Sequence, residues 1–148
     1  MLLEMALVIS LLENPHSPEV TREQDCFIRN AIYEAIGEGP RGMQLATEVA
    51  LNRLDANHRG AQTMCEVIYS PAQFSWTMTP EEERLTYTEQ EYHQAAQVVL
   101  SVLYDAIPRA LPQDILHYQN PSTATDKSWY ESEKVVLVYG GHHFLRTR

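Results

Sequence analysis

Apolar residues in the first half of the chain recur every three to four positions, which is the period of an α-helix. Thr21, followed three residues later by Gln24, predicts where the first helix begins, because the two side chains can cap each other's backbone. Gly37, Gly39 and Pro40 predict where it ends, since proline cannot continue the hydrogen-bond ladder. The stripe expected to face the core comprises Ile28, Ala31, Ile32 and Ala35.

Three more helices are predicted by the same periodicity. One runs from about residue 42 to residue 57, and a short one covers residues 64–69. Residues 70–79 are predicted to form a structured loop. A longer helix is predicted to begin at the capping box of Thr88 and Glu91. The residues expected to be buried are Ala46, Val49, Ala50 and Leu54 in the second helix, and Tyr92, Ala95, Ala96, Val99 and Leu103 in the longest.

The last third of the chain changes to short runs typical of strands. Residues 115–119 predict one strand, and residues 134–139 and 142–146 predict a hairpin around Gly140 and Gly141. The fold class is therefore α+β, with a mainly helical lobe followed by a small C-terminal antiparallel sheet.

Length and composition favour one domain. The 148 residues contain no repeat and no linker-like stretch, so residues 1–148 are interpreted as a single unit, with residues 1–20 as an N-terminal packing helix and linker. Residues 1–12 are apolar, but Glu4 and the lack of Lys or Arg argue against a secretion signal. The stretch is also too short to span a membrane. Localisation stays open.

Net charge and cysteine content bear on the partners of the chain and on the state of its two cysteines. The net charge of -9, with only 11 Lys and Arg residues, argues against nucleic acid as a partner, because binding requires neutralisation of phosphates. Cys26 and Cys65 are interpreted as buried thiols, with a bridge between them as the alternative.

Glu34 is the first candidate for chemistry. It lies in the predicted last turn of the first helix, with Glu38 four residues further on. The helix C-terminus, the Glu38 charge and burial would each raise the pKa of Glu34. A carboxyl that stays protonated near neutral pH can donate a proton to the leaving oxygen of a glycosidic bond. The alternative is an ordinary solvated surface glutamate.

Several separate motifs resemble the SleB-like cell-wall hydrolases. Residues 34–43 resemble the family's E-A-R-G-E motif followed by x-x-x-G, and residues 49–53 its V-V-L-N-R helix end. Residues 65–69 and 71–76 are similar to its C-x-V-I-Y and Q-F-S-W segments, and residues 140–144 to its G-G-H-x-F segment. The H-Y and S-W positions match His117, Tyr118, Ser128 and Trp129. The resemblance spans about residues 27–146.

The resemblance implies a lysozyme-like fold, no cofactor, and activity as a peptidoglycan lytic transglycosylase. Such an enzyme cleaves between N-acetylmuramic acid and N-acetylglucosamine. Glu34 falls on the catalytic glutamate, and Glu38 is assigned a supporting role in pKa tuning or folding. Ile36 departs from the motif, because the family usually has Arg there, and the pH optimum or substrate contacts are expected to differ.

Candidate substrate contacts follow from side-chain type. Aromatic faces cover the apolar C–H surface of sugars, and amides or hydroxyls bind sugar hydroxyl and acetamide groups. Packing in the core is the alternative for the aromatic residues, above all for Phe74. The candidates are Gln73, Phe74, Ser75, Trp76, Tyr118, Trp129 and His142.

Two other functions are kept open. His117, His142, His143 and Asp126 raise the possibility of a zinc-dependent amidase or peptidase, although adjacent residues of a strand face opposite ways and no H-E-x-x-H helix is present. The second is a non-catalytic wall-binding module of a virion. The expected partners are peptidoglycan glycan strands and, in a phage lysis or virion setting, tail or other virion proteins.

Overall fold

Four α-helices and a three-stranded sheet make up the part of the chain that this computed structural model describes, residues 19–123 and 134–146. The predicted α+β class is confirmed. The proposed N-terminal helix falls mostly on residues 1–18, outside the described residues. No helix in the described ranges combines the length and apolar character needed to cross a bilayer. The elements are α1 (Arg22–Ala35), α2 (Gly39–Asp55), α3 (Met64–Tyr69), α4 (Glu89–Leu103), β1 (Ile115–Gln119), β2 (Val135–Tyr139) and β3 (His142–Arg146).

The junction between α1 and α2 differs from the prediction. Helix α1 stops at Ala35, whose φ of -147° is not helical, and a 3-10 turn covers Ile36–Glu38. Helix α2 begins at Gly39, three residues earlier than expected, with Pro40 in its first turn, where a missing N–H costs nothing. The prediction that Glu34 and Glu38 are neighbours on one helix is therefore wrong, because the chain leaves α1 between them.

The helices pack around α1 and α2. Helix α1 contacts α2, α3 and α4, and its predicted capping box at Thr21 and Gln24 is present. Helix α2 also packs against β1 and so joins the helical core to the sheet. A cluster of buried apolar side chains lies between α2 and the sheet, apart from the core of the helices. It consists of Leu45, Val49, Leu111, Ile115 and Phe144.

Hydrogen bonds tie the end of α2 to the start of the sheet. The Asn52 side-chain amide donates to the carbonyl oxygens of Pro112 and Ile115, both at 3.0 Å. The Arg53 Nε donates to the Leu116 carbonyl oxygen at 2.7 Å. These bonds join the end of α2 to the backbone before and within β1, and they fix the direction of the Arg53 side chain.

The sheet is antiparallel in the order β1-β3-β2. The predicted hairpin of β2 and β3 is confirmed, with Tyr139 paired with His142 across a turn where Gly140 has a φ of +56°. Strand β1 pairs with β3, which brings Tyr118 opposite Phe144. The sheet thereby places Tyr118 and His142 on neighbouring strands.

The two cysteines form a disulfide between α1 and α3. Cys26 and Cys65 lie 39 residues apart in sequence, and their Cα atoms are 5.2 Å apart. The interpretation as buried thiols was wrong, and the alternative of one bridge is what the structure has. Sequence spacing cannot decide between them, because the packing of α3 on α1 is what brings the two side chains together.

Candidate active site

A polar cleft of about 300 Å³ lies where the helices meet the sheet. Glu34, in the last turn of α1, and Arg53, in the last turn of α2, line it from the helical side. Because the two helices pack on each other and both end here, residues 19 positions apart in sequence share one wall of the cleft.

The loop after α3 forms a second wall. Ala72, Gln73, Phe74, Ser75 and Met78 line the cleft, which brings three of the predicted substrate contacts beside Glu34. Phe74 is only 2% exposed, so it belongs to the core as well as to the cleft. Ala72 has a φ of +59°, a conformation that side chains rarely adopt and that often marks a functional loop.

The sheet side supplies the third wall. Tyr118 and Gln119 from β1 and His142 from β3 line the cleft, followed by Asn120 and Thr123 from the turn after β1. Tyr118 and His142 were predicted contacts, and their rings meet edge to face with centroids 5.2 Å apart. The sheet therefore supplies groups that can bind a polar ligand opposite Glu34.

Trp76 is not one of the residues that line this cleft. It is 7% exposed. Its indole N–H donates to the Asn30 side-chain oxygen at 2.8 Å, and its ring lies 4.5 Å from that of Tyr33. These contacts place Trp76 in the packing between α1 and the loop. Trp129 lies outside the described residues.

Burial raises the pKa of Glu34 to about 7. Two groups oppose this rise, because the Tyr118 hydroxyl and the Arg53 charge both favour the ionised carboxylate. Burial is the largest effect, so the carboxyl is about half protonated at neutral pH. The charge of Glu38 is not among these causes, and its role in tuning the pKa of Glu34 stays a prediction.

Glu38 instead forms a contact with the sheet. Its Oε1 lies 2.6 Å from the His142 Nδ1, and both side chains are about four-fifths buried. A Cβ on Gly42 would lie 2.5 Å from that of Glu38, and a Cβ on Gly140 would clash with its carboxylate. The two glycines leave the space in which Glu38 holds His142. Glu38 therefore contacts His142, a residue of the cleft, and its supporting role stays a prediction.

Arg53 is one of the cleft residues that the sequence analysis did not name as a site residue. It is 6% exposed, and its guanidinium lies 4.9 Å from the centre of the Phe74 ring. Among the described residues its Nη1 has no hydrogen-bond partner, and the same holds for the Tyr118 hydroxyl oxygen. The interaction of this hydroxyl with Glu34 is therefore looser than an ordinary hydrogen bond. The match of residues 49–53 to the V-V-L-N-R motif was the available signal.

A larger cavity of about 620 Å³ lies between α2 and α4. Apolar residues such as Met43 and Val98 form much of its wall, and Glu91 is its one carboxylate among the described residues. The Glu91 side chain accepts a hydrogen bond from the backbone N–H of Thr88 at the start of α4, so it has a structural role there. Of these two, the smaller cleft is the better candidate, because in it a carboxyl with a raised pKa lies beside several polar groups.

Metal binding has little geometric basis in the described ranges. Within residues 19–123 and 134–146, no three His, Cys, Asp or Glu side chains lie close enough together to hold one ion. His117 packs edge to face on His58, whereas His142 contacts Glu38. Asp126, the fourth ligand of the zinc alternative, lies outside the described residues.

A carboxyl with a raised pKa in a polar cleft is what the general acid of an enzyme that cleaves glycosidic bonds requires. The family model described as Cell Wall Hydrolase matches residues 37–145, and the chain belongs to that family. It is thus a hydrolase whose substrate is peptidoglycan, and the resemblance to SleB-like enzymes is confirmed at the level of the family. The match begins just after Glu34. No curated protein and no solved structure matches the chain.

Proposed function

We propose that the chain is a lytic transglycosylase that cleaves the β-1,4 bond between N-acetylmuramic acid and N-acetylglucosamine, with Glu34 as acid and base. The observation that carries this proposal is the Glu34 carboxyl in the cleft wall, with its pKa raised to about 7 by burial. Among the described residues that line the cleft, Glu34 is the one carboxylate. Ordinary glycoside hydrolysis usually needs two carboxyl groups, whereas transglycosylation can proceed with one.

In the proposed reaction the Glu34 carboxyl gives its proton to the bridging oxygen while the bond from that oxygen to C1 of the muramyl sugar breaks. The oxygen atom of the 6-hydroxyl of the same sugar then forms a bond to C1. Its proton passes to the Glu34 carboxylate, which restores the acid. The products are a free 4-hydroxyl and a 1,6-anhydro sugar, and no water is consumed.

The walls of the cleft supply the proposed glycan contacts. Gln73 and Ser75 offer amide and hydroxyl groups to sugar hydroxyls and acetamides. Phe74 and Tyr118 offer ring surface to the sugar C–H faces, and His142 offers the ring nitrogen that does not face Glu38. The contact predicted for Trp129 stays a prediction.

Product analysis tests this function. Purified peptidoglycan is digested with the wild type, with Glu34→Gln and with Glu82→Gln, a control at an exposed glutamate that does not line the cleft. We expect 1,6-anhydro sugars by mass spectrometry from the wild type and the control, and about 10³-fold slower release of them from Glu34→Gln. Reducing sugar ends would indicate hydrolysis, and new free amines an amidase or peptidase. Turnover by Glu34→Gln within tenfold of the wild type would refute the assignment of the acid.

A phage lysis or virion-associated setting stays a prediction from the sequence. Immunodetection of the chain in purified virions tests it. A chain found only in the host wall fraction would argue for wall remodelling or spore germination.

A further inference from the structure

Two buried donors next to Glu34 are unpaired. Among the described residues, neither Nη1 of Arg53 nor the hydroxyl oxygen of Tyr118 has a hydrogen-bond partner. Buried polar groups without partners are rare in folded proteins, because each loses its bonds to water and gains nothing in return. When such groups occur at a candidate active site, a partner that arrives during the reaction is a physical reason for their presence.

The position of both donors is fixed by other contacts. The Arg53 Nε donates to the Leu116 carbonyl oxygen at 2.7 Å, and its guanidinium lies over the Phe74 ring. The Tyr118 ring packs against Phe144, with ring centroids 5.4 Å apart, and against His142. Neither side chain can therefore turn away to find another acceptor without loss of these contacts.

Glu34 is the carboxyl that interacts with both. The Tyr118 hydroxyl and the Arg53 charge both act on its carboxyl, and the Glu34 charge acts on both in return. Burial and the Glu34 charge raise the pKa of Tyr118 well above its ordinary value, so the hydroxyl keeps its proton and stays a donor. Arginine stays charged under all relevant conditions.

We propose that Arg53 and Tyr118 are positioning residues that receive the Glu34 carboxylate once it has given up its proton. On proton transfer the carboxylate accepts hydrogen bonds from Arg53 Nη1–H and Tyr118 O–H. When Glu34 takes the proton of the sugar 6-hydroxyl, these bonds weaken and the starting arrangement returns. The donors thus stabilise a charge that exists only during the reaction, as preorganised donors do in other active sites. This inference rests on the proposed role of Glu34.

Tyr118→Phe is the decisive variant, because it removes one donor and keeps the ring. The hydroxyl has no partner of ordinary geometry, so its loss should leave the melting temperature unchanged or raise it. The ionisation constant of Glu34, measured by NMR titration of its labelled side-chain carboxyl, should fall about tenfold, since a hydrogen bond to the charged form is lost. The value of kcat should fall by a similar factor, with KM little changed.

Tyr139→Phe is the matched control. Tyr139 is a sheet tyrosine outside the cleft lining, and its hydroxyl reaches the Glu38 carbonyl oxygen at 3.5 Å. It should leave the Glu34 titration unchanged. Arg53→Lys adds a second test, with an expected fall in the Glu34 ionisation constant provided that near-ultraviolet circular dichroism shows a native fold.

Among the described residues, the other charged or titratable side chains that line the cleft are Arg53, Tyr118 and His142, and the Glu34 titration is interpreted with these three in mind. An unchanged Glu34 titration in Tyr118→Phe would overturn the inference, and so would equal shifts in Tyr118→Phe and Tyr139→Phe. The titration needs no turnover, so its outcome is separate from that of the proposed function. Turnover by Glu34→Gln within tenfold of the wild type would refute the catalytic role even if the donors change the titration of Glu34 as expected.

Discussion

The partly buried Glu34 and the fully buried Glu48 illustrate two different uses of a carboxyl group. Glu48, in the middle of α2, is fully buried and accepts hydrogen bonds from the backbone N–H groups of Ala110 and Leu111 at 2.9 to 3.1 Å. The Gln44 side-chain amide donates a further bond at 2.8 Å. Every oxygen is satisfied, and the carboxylate holds the chain after α4 against α2.

Glu34 has a different environment. It lines an open cleft, and no backbone N–H of the described residues is bonded to its carboxyl. The opposing groups, the Tyr118 hydroxyl and the Arg53 charge, do not cancel the effect of burial on its pKa. Burial with a full set of donors makes a structural carboxylate, whereas burial with too few donors makes an acid.

The largest effect is expected from Glu34→Gln on turnover. Loss of the transferable proton should lower kcat about 10³-fold, or about 4 kcal/mol in activation free energy. The rate of release of soluble glycan from purified peptidoglycan measures it. A variant within tenfold of the wild type would mean that the contrast between the two glutamates has nothing to do with catalysis.

The same substitution at the other site should act on stability. Glu48→Gln places an amide N–H₂ against the N–H groups of Ala110 and Leu111, and should lower the free energy of unfolding by about 3 kcal/mol. Urea denaturation followed by circular dichroism measures it. Activity per folded molecule should stay near that of the wild type. If Glu48→Gln were as stable as the wild type, the hydrogen bonds to Glu48 would not distinguish it from Glu34 as a structural carboxylate.

The stability of the wild type should depend on pH through Glu34. The folded pKa of about 7 lies above the ordinary value of 4.5, so the folded state holds a proton that the unfolded state has lost. The contribution of Glu34 is therefore complete below about pH 4.5 and is lost as pH rises to about 7, by about 2 kcal/mol after allowance for solvent screening. Relative to wild type, Glu34→Gln should gain stability over this range. A pH-independent difference would contradict the raised pKa.

The smallest effect is expected at Glu38. Glu38→Gln weakens the contact with His142 and should cost about 1 kcal/mol of unfolding free energy. The pH midpoint of activity should stay where it is in the wild type, because Glu38 is not among the groups that set the pKa of Glu34. A shift of that midpoint would support the prediction that Glu38 tunes the pKa of Glu34.

Local patterns along the chain determined the helices and the hairpin of this protein. The capping boxes at Thr21 and Thr88, the helical stripes and the glycine turn at Gly140 and Gly141 predicted these elements, because such signals act between residues a few positions apart. The position of Glu34 in the last turn of α1 followed from the same rules. The motif blocks indicated the family that residues 37–145 match.

Tertiary packing decided the rest. The disulfide of Cys26 and Cys65, the burial of Trp76 against Asn30, and the convergence of Arg53 and Tyr118 on Glu34 each join residues from different elements. A single break at Ala35 also turned Glu38 from a neighbour of Glu34 into a partner of His142. Sequence spacing measures distance along one helix or strand, and it carries no distance between elements. The burial of Glu34 and the charges that act on it depend on the distances between elements. The pKa of Glu34 and its causes are therefore visible only in the folded chain.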